Sequence, residues 1–286
     1  MSATIMDFAA RWVDVLARES LNVSIVFGVV MGLSFLLRRR GPAIHLALWG
    51  LVFVRLVLPA DLTHPWSIGQ LVHRAQTMPR QETSISSIGH GVGEAFPLGA
   101  VSGNAFASSD EAIPWRTGVA IFWLVGFAAT WRRFDRHKRI FNNAVKRAVR
   151  NDRDHVLEIV DRWRRLLGVR RTVTVVTSEE ALPPFTIGIV RPVIFLPKAV
   201  AEDAQTLEPA VAHEMAHVAR FDALWLDLQH YVQMVYFFHP LVWISGVRLS
   251  CEREKLCDAT AVAAGRMAAR DYVGGLLNVL RLDLQG

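Results

Sequence analysis

The chain has 286 residues, 52% of them hydrophobic with nine Trp, and a formal net charge of +6. That hydrophobic share exceeds what an ordinary soluble domain carries and is concentrated in a few runs, which argues for a protein that meets a membrane. Only two cysteines are present, Cys251 and Cys257, too few for a disulfide-built scaffold.

The first twenty residues lack the basic start of a signal peptide, and Asp7 and Asp14 interrupt their apolar character. Ile5, Phe8, Ala9, Trp12, Val13 and Leu16 recur at helical spacing, which predicts an amphipathic helix lying in the membrane interface. Apolar runs follow at 21–37, 43–60 and 113–131. A spanning helix needs roughly 17–25 residues, so 1–131 is predicted to be a membrane region with three transmembrane helices. Buried core helices of a soluble protein are the alternative. Arg38-Arg39-Arg40 closes the first run, and Arg132, Arg133, Arg136, Lys138 and Arg139 follow the third. The positive-inside bias places both clusters on the cytoplasmic side from one orientation. The N-terminus is then outside, 61–112 is an external loop rich in Gly, Ser and Pro, and 132–286 is a cytoplasmic domain. Anionic lipid headgroups are the expected partner of the basic residues. No nucleic-acid recognition motif accompanies them, and no direct nucleic-acid partner is expected. Both cysteines fall on the reducing side, so no structural disulfide is expected.

Within 132–286, Val156, Ile159, Val160, Trp163, Leu166 and Leu167 form a helical stripe over 150–168, with Gly168 as its stop. Thr172 to Thr177 reads as a strand. Leu182 to Pro197 reads as two short extended segments around Gly188 and Arg191-Pro192, with the prolines favouring edge positions. An edge strand beside a protease site can pair with an extended substrate; a purely structural hairpin is compatible with the same residues. A helix is predicted from Glu208 to Arg220. Leu224 to Leu249 is largely apolar and reads as a buried or interfacial helix pair broken at Pro240, with a true span as the alternative.

His213-Glu214-Met215-Ala216-His217 is an H-E-x-x-H pattern. Residues four apart on a helix share a face, so both imidazoles can reach one zinc ion, and Glu214 is placed to take a proton from an activated water. The same pattern also arises by chance on polar helix faces, so its surroundings decide. Further on, Cys251-Glu252-Arg253-Glu254-Lys255-Leu256-Cys257-Asp258 opens or continues another helix. Glu254 and Asp258 share a face, whereas Glu252 is about 200° round from Glu254. A zinc hydrolase needs three protein ligands and one open position. His213, His217 and Glu254 complete that set, and Asp258 can support an imidazole from behind. Cys257 is an alternative ligand, burial as a small apolar side chain being its plainer reading. His230, His239 or an Arg are candidates for stabilising the oxyanion, against simple polar contacts in helix packing.

The ordered set of segments resembles the BlaR/MecR-type family of membrane-embedded zinc metallopeptidases. The matching features are the spans before the domain, Pro184-Phe185-Thr186-Ile187-Gly188 through Arg191-Pro192-Val193-Ile194-Phe195-Leu196-Pro197, and the H-E-x-x-H motif with Asp222 following. Phe238-His239-Pro240-Leu241-Val242-Trp243 and Glu254-Lys255-Leu256-Cys257-Asp258 match in the same order. The resemblance covers most of the chain. It implies an α-helical membrane protein of three or more transmembrane helices with a cytoplasmic α+β, gluzincin-like domain. It further implies Zn2+ held by His213, His217 and Glu254, Glu214 as the catalytic base, and Asp258 and Asp222 behind the imidazoles. The implied activity is signal-responsive proteolysis at the bacterial inner membrane, cutting a cytoplasmic winged-helix repressor, the chain itself, or both. The bilayer and a protein substrate are then its partners. Two alternatives stand beside it. One is a quality-control or processing protease resembling the HtpX-like and CAAX-processing enzymes, which usually lack the long external loop. The other is a non-catalytic transducer with a structural zinc site, against which an intact Glu214 argues. Founding members carry an extracellular penicillin-binding sensor; no serine-lysine sensor motif occurs in these residues, so direct β-lactam sensing is not expected of them.

Overall fold

The computed structural model describes residues 2–57, 115–180 and 182–283. The expected external loop 61–112 lies outside them, as do 58–60 and 113–114 of the second and third expected spans. α1 (Ser2–Leu36) is one helix of 35 residues. The interfacial helix and first span expected from the sequence are thus a single element, because no Gly or Pro between Ser2 and Phe27 parts them. Its stretch Trp12–Leu36, 25 residues, is the one helix among the described residues long and apolar enough to cross a membrane. At 1.5 Å per residue that is about 37 Å, against about 30 Å of hydrocarbon. α2 (Pro42–Val57) is apolar but only 16 residues long; Pro42 opens it at the position where a missing N–H costs nothing. α3 (Trp115–Arg147) runs 33 residues without a break. The third apolar run therefore continues as the same helix through the basic cluster, helped by an Asp135–Arg139 pair one turn apart at 2.7 Å.

There follow β1 (Val149–Arg150), α4 (Asp154–Leu166), β2 (Thr174–Ser178), β3 (Phe185–Ile187), β4 (Val193–Pro197), α5 (Lys198–Glu202), α6 (Ala204–Ala219), α7 (Asp222–Val235), α8 (Pro240–Gly265) and α9 (Ala269–Asp283). The four strands lie in the order β1-β2-β4-β3. β2 and β4 are parallel, with Val176 opposite Phe195, and both outer pairs are antiparallel. The two-residue alternation of strands sends Val175, Ile194 and Leu196 to one face and Val176 and Phe195 to the other. The first face meets Val156 and Trp163 of α4 and Leu207, Val211 and Met215 of α6, all fully buried. The second is covered by Ala144 and Val145 at the end of α3, with Phe185 stacked on Phe195 at 4.6 Å between centroids. α4 stops where expected: Gly168 takes φ +65° and the Val169 N–H returns to Arg164 O at 2.9 Å. Gly188 turns β3 into β4 at φ +89°, where a Cβ would lie 2.6 Å from Arg191 O. β3 ends the sheet, so one of its edges is unpaired within it.

α7 and the first half of α8 form a helix pair broken before Pro240, which takes the first turn of α8. The pair packs against the N-terminal helices. Val232, Tyr236, Val242 and Leu249 share a core with Val23, Phe27 and Val30 of α1 and Trp49, Val52, Phe53 and Leu56 of α2. Polar contacts pin the same junction. His239 Nε2 donates to Ser20 O (3.2 Å), Trp123 Nε1 donates to Val235 O (2.9 Å), and the buried Glu19 pairs with Arg55 at 3.1 Å. The described residues within 2–57 and 116–283 consequently form one compact unit.

Candidate metal centre

α6 starts at Ala204, four residues before the expected Glu208. Asp203 caps it, its Oδ1 accepting from Gln205 N at 3.1 Å. One face of α6 is buried through Val211, Ala212 and Met215, and His213 and His217 emerge half-buried beside it. At its end Phe221 adopts φ +58°, a left-handed conformation that a bulky residue seldom takes. The Arg171 guanidinium lies over the Phe221 ring at 3.7 Å and donates to Ile189 O and Val218 O, holding this corner. The sharp turn lets α7 begin at once with Asp222, folded back beside His217.

Three donor atoms converge. His213 Nε2 and His217 Nε2 are 3.2 Å apart, and Glu254 Oε2 is 3.3 Å from the first and 3.5 Å from the second. Ligands bound to zinc at about 2.0–2.2 Å in a tetrahedron are separated by about 3.3–3.6 Å, so the donor set fits that ion in both chemistry and spacing. Each imidazole is held from behind. His213 Nδ1 lies 2.9 Å from Asp258 Oδ1 and 3.1 Å from the Tyr272 hydroxyl, which itself donates to Asp258 at 2.9 Å. His217 Nδ1 lies 2.8 Å from Asp222 Oδ2. A carboxylate at Nδ1 fixes the proton there and leaves the Nε2 lone pair facing the cleft. Cys257 Sγ, fully buried, is 3.3 Å from His217 Nδ1 and 3.2 Å from Asp222 Oδ2. His217, Asp222 and Cys257 also have ligand-like spacing, but they meet at Nδ1, the ring nitrogen that does not face His213 and Glu254, and act there as a fastening.

The electrostatics match the geometry. Burial works against protonation of His213, but the hydrogen bonds it donates to Asp258 and Glu254 outweigh it and raise the imidazole to about 9. For His217 burial again opposes, and Asp222, Cys257 and Glu254 push it up to about 12. The two imidazoles hold Glu254 far below the usual carboxylate range. Three carboxylates around two rings make a negative pocket that calls for positive charge, supplied either by protons or by a cation.

Glu214 is 5% exposed, and its Oε2 accepts a hydrogen bond from Thr186 Oγ1 of β3 at 2.8 Å. It opens on a cleft of about 290 Å3 whose walls include Phe185 of β3, Ile189 of the turn that follows it, and Phe221, Leu226 and Arg253. The structure thus brings His213, Glu214, His217, Asp222, Glu254 and Asp258 to one place. Glu252 pairs with Lys255 at 2.8 Å instead. Neither His230 nor His239 lines the cleft: His230 stacks on Phe134 at 4.2 Å, and His239 is bonded to α1. Of the two readings offered for these histidines, their contacts fit the one as polar groups in helix packing. Sequence reasoning gave no role to Thr186, Arg171, Arg253 or Tyr272. Thr186 and Arg253 stand inside segments already singled out, but nothing local marks Tyr272.

The family described as BlaR1 peptidase M56 matches residues 15–285. Among individual relatives, the methicillin resistance mecR1 protein of Staphylococcus aureus is 29% identical over 91 residues, 31% of this chain and 16% of that protein. The regulatory protein BlaR1 of Bacillus licheniformis is 36% identical over 76 residues, 26% of this chain and 13% of that protein. These alignments span less than a fifth of either relative. The family match, by contrast, runs from α1 through α9 and takes in every residue of the candidate metal centre: the chain belongs to the BlaR1 peptidase M56 family.

Proposed function

We propose that the chain is a membrane-embedded zinc endopeptidase acting in signal-responsive proteolysis. The observation that carries this is the convergence of His213 Nε2, His217 Nε2 and Glu254 Oε2 beside a buried carboxylate, Glu214, that faces the cleft. When bound, zinc lowers the pKa of a water towards about 7 and polarises a carbonyl. His213, His217 and Glu254 hold the ion, and Asp258 and Asp222 orient the two rings. Glu214 takes the proton of the attacking water and passes it to the leaving amine, with Thr186 Oγ1 fixing the carboxylate's direction. The unpaired edge of β3 offers backbone groups to an extended substrate.

In this reading α1, α2 and the apolar part of α3 cross the inner membrane, and the basic clusters keep the metal centre on the cytoplasmic face. The helix pair α7–α8 is seated among those spans through its shared core with α1 and α2. The substrate is a cytoplasmic winged-helix repressor, the chain itself, or both; the support is that the relatives are named as a resistance protein and a regulatory protein. A purely structural zinc site would have no use for Glu214 held by Thr186 at the cleft.

The test is Glu214→Gln in the full chain, purified in detergent. The variant is expected to keep the zinc content of the wild type and to lose cleavage, read as new protein termini in expressing cells. Wild-type cleavage by the variant would remove Glu214 from the role of base. New termini spread over damaged membrane proteins, with none in a repressor or in the chain, would favour the quality-control alternative.

A further inference from the structure

We propose that Arg253 binds a backbone carbonyl oxygen of the substrate next to the scissile bond. The inference rests on the peptidase reading above. Arg253 precedes Glu254 on α8, is 5% exposed, and lines the cleft. Its Nη2 donates to Gln229 Oε1 at 3.0 Å, and its Nε is 4.0 Å from Asp222 Oδ1, too far for a hydrogen bond. A guanidinium carries five N–H donors, so most are not used within the protein. None of its nitrogens is among the fully buried atoms without a partner, and the unused donors therefore open on the cleft that the residue lines. Asp222 attracts the guanidinium without taking a hydrogen bond from it: its Oδ1 stands 4.0 Å from Arg253 Nε, while its Oδ2 is held by His217 at 2.8 Å and Arg220 at 3.4 Å.

The other arginine of this cleft is differently employed. Arg171 spends donors on Ile189 O and Val218 O and stacks on Phe221, so it serves the fold. A substrate strand paired to the open edge of β3 has a second row of backbone groups turned away from β3. A carbonyl that the bound strand turns into the cleft gives up water on that side and needs a donor in its place. Phe221, Ala223 and Leu226, which line the same cleft, have no side-chain donor to offer. Arg253 has several, next to a proposed metal ligand and so close to the reacting bond.

The test uses the zinc-loaded full chain in detergent micelles and a peptide phosphinate in which the phosphinate replaces the scissile amide. Two analogues replace the carbonyl on one or the other side by CH2. For one analogue, wild-type affinity is expected to fall about 10–100-fold, the range for a hydrogen bond to a charged donor. In Arg253→Met that penalty should vanish, and the parent should bind as weakly as the analogue. Gln229→Met, which removes the two bonds that Gln229 makes to α8, with Gly246 O and with Arg253, should keep the penalty. If Arg253→Met does not fold, Arg253→Lys keeps the charge near Asp222 and should reduce the penalty to about threefold or less through its lost fork geometry. Equal penalties in wild type and variant for both analogues would overturn the assignment, as would loss of the penalty in Gln229→Met. Failure of the parent phosphinate to bind zinc-loaded wild type would instead overturn the peptidase reading.

Discussion

Asp222→Asn asks how much metal affinity comes from behind the ligands. The carboxylate is 5% exposed and meets His217 Nδ1 at 2.8 Å. Burial alone would raise its pKa, but the bond to His217 overcomes this and holds it below its ordinary value. Asparagine keeps the shape and an acceptor oxygen but removes the charge that makes Nε2 a strong donor to a cation. Losing such a partner costs about 10–100-fold in metal affinity, or about 1.4–2.7 kcal/mol. Deep burial puts Asp222 at the upper end, because little solvent screens the lost charge. Asp258 makes the equivalent bond to His213 at 2.9 Å, but its side chain is 45% exposed and Tyr272 remains within 3.1 Å of the same nitrogen. Asp258→Asn should therefore fall at the lower end, leaving the two variants about tenfold apart. The measurement is zinc competition against a chromogenic chelator on the full chain, with thermal melts to show that each variant is folded. A larger loss for Asp258→Asn than for Asp222→Asn would refute the burial argument, and no loss in either would refute the positioning role altogether.

Glu254→Ala should abolish zinc binding while Glu252→Ala leaves it intact, as metal analysis would show; the opposite result would move the third ligand. Trp163→Ala should cost about 3–5 kcal/mol, because the side chain is fully buried in the core of the sheet and α6. Leu166→Ala, at a residue 51% exposed, should stay within about 0.5 kcal/mol in the same denaturation series. Metal-free protein should lose stability as the pH rises. Its His213 is raised to about 9 against about 6.5 in the unfolded chain, so this contribution is complete below about 6.5 and disappears as the pH passes about 9. Melting curves with chelator should fall across that window, and those with zinc should not, because bound metal favours the deprotonated rings.

The parts of the site that were legible are those fixed by local helix geometry. The four-residue steps from His213 to His217 and from Glu254 to Asp258 declare shared faces before any tertiary structure is known. Asp222 is harder, because its contact with His217 depends on Phe221 taking a left-handed backbone, which propensity argues against. Tyr272 is 59 residues from His213, and no local pattern could pair them. The helix ends were legible at Gly168 and at Pro240, where a residue enforces the stop. They were not legible along α1 and α3, where polarity changes but helix propensity does not. The α7–α8 pair showed its apolar character in sequence; its partners, Trp49 and Val52 of α2 and Val23 of α1, are set by packing that an apolar pattern leaves undetermined.

That packing also ties the N-terminal helices to the candidate metal centre. α8 is a single helix of 26 residues. Val242 and Leu249 lie in the core shared with α1 and α2, and Glu254, Cys257 and Asp258 lie at the metal centre. Leu249 and Glu254 are five residues apart, about 7.5 Å along the axis. An unbroken helix over that distance cannot absorb a shift, and a close-packed core passes displacement on rather than damping it. The position of Glu254 relative to His213 and His217 is consequently set by two contacts at once, α6 against the second half of α8 and α1–α2 against the first. A change in how α1 and α2 sit would reach the third donor atom directly, with no intermediary loop to lose it.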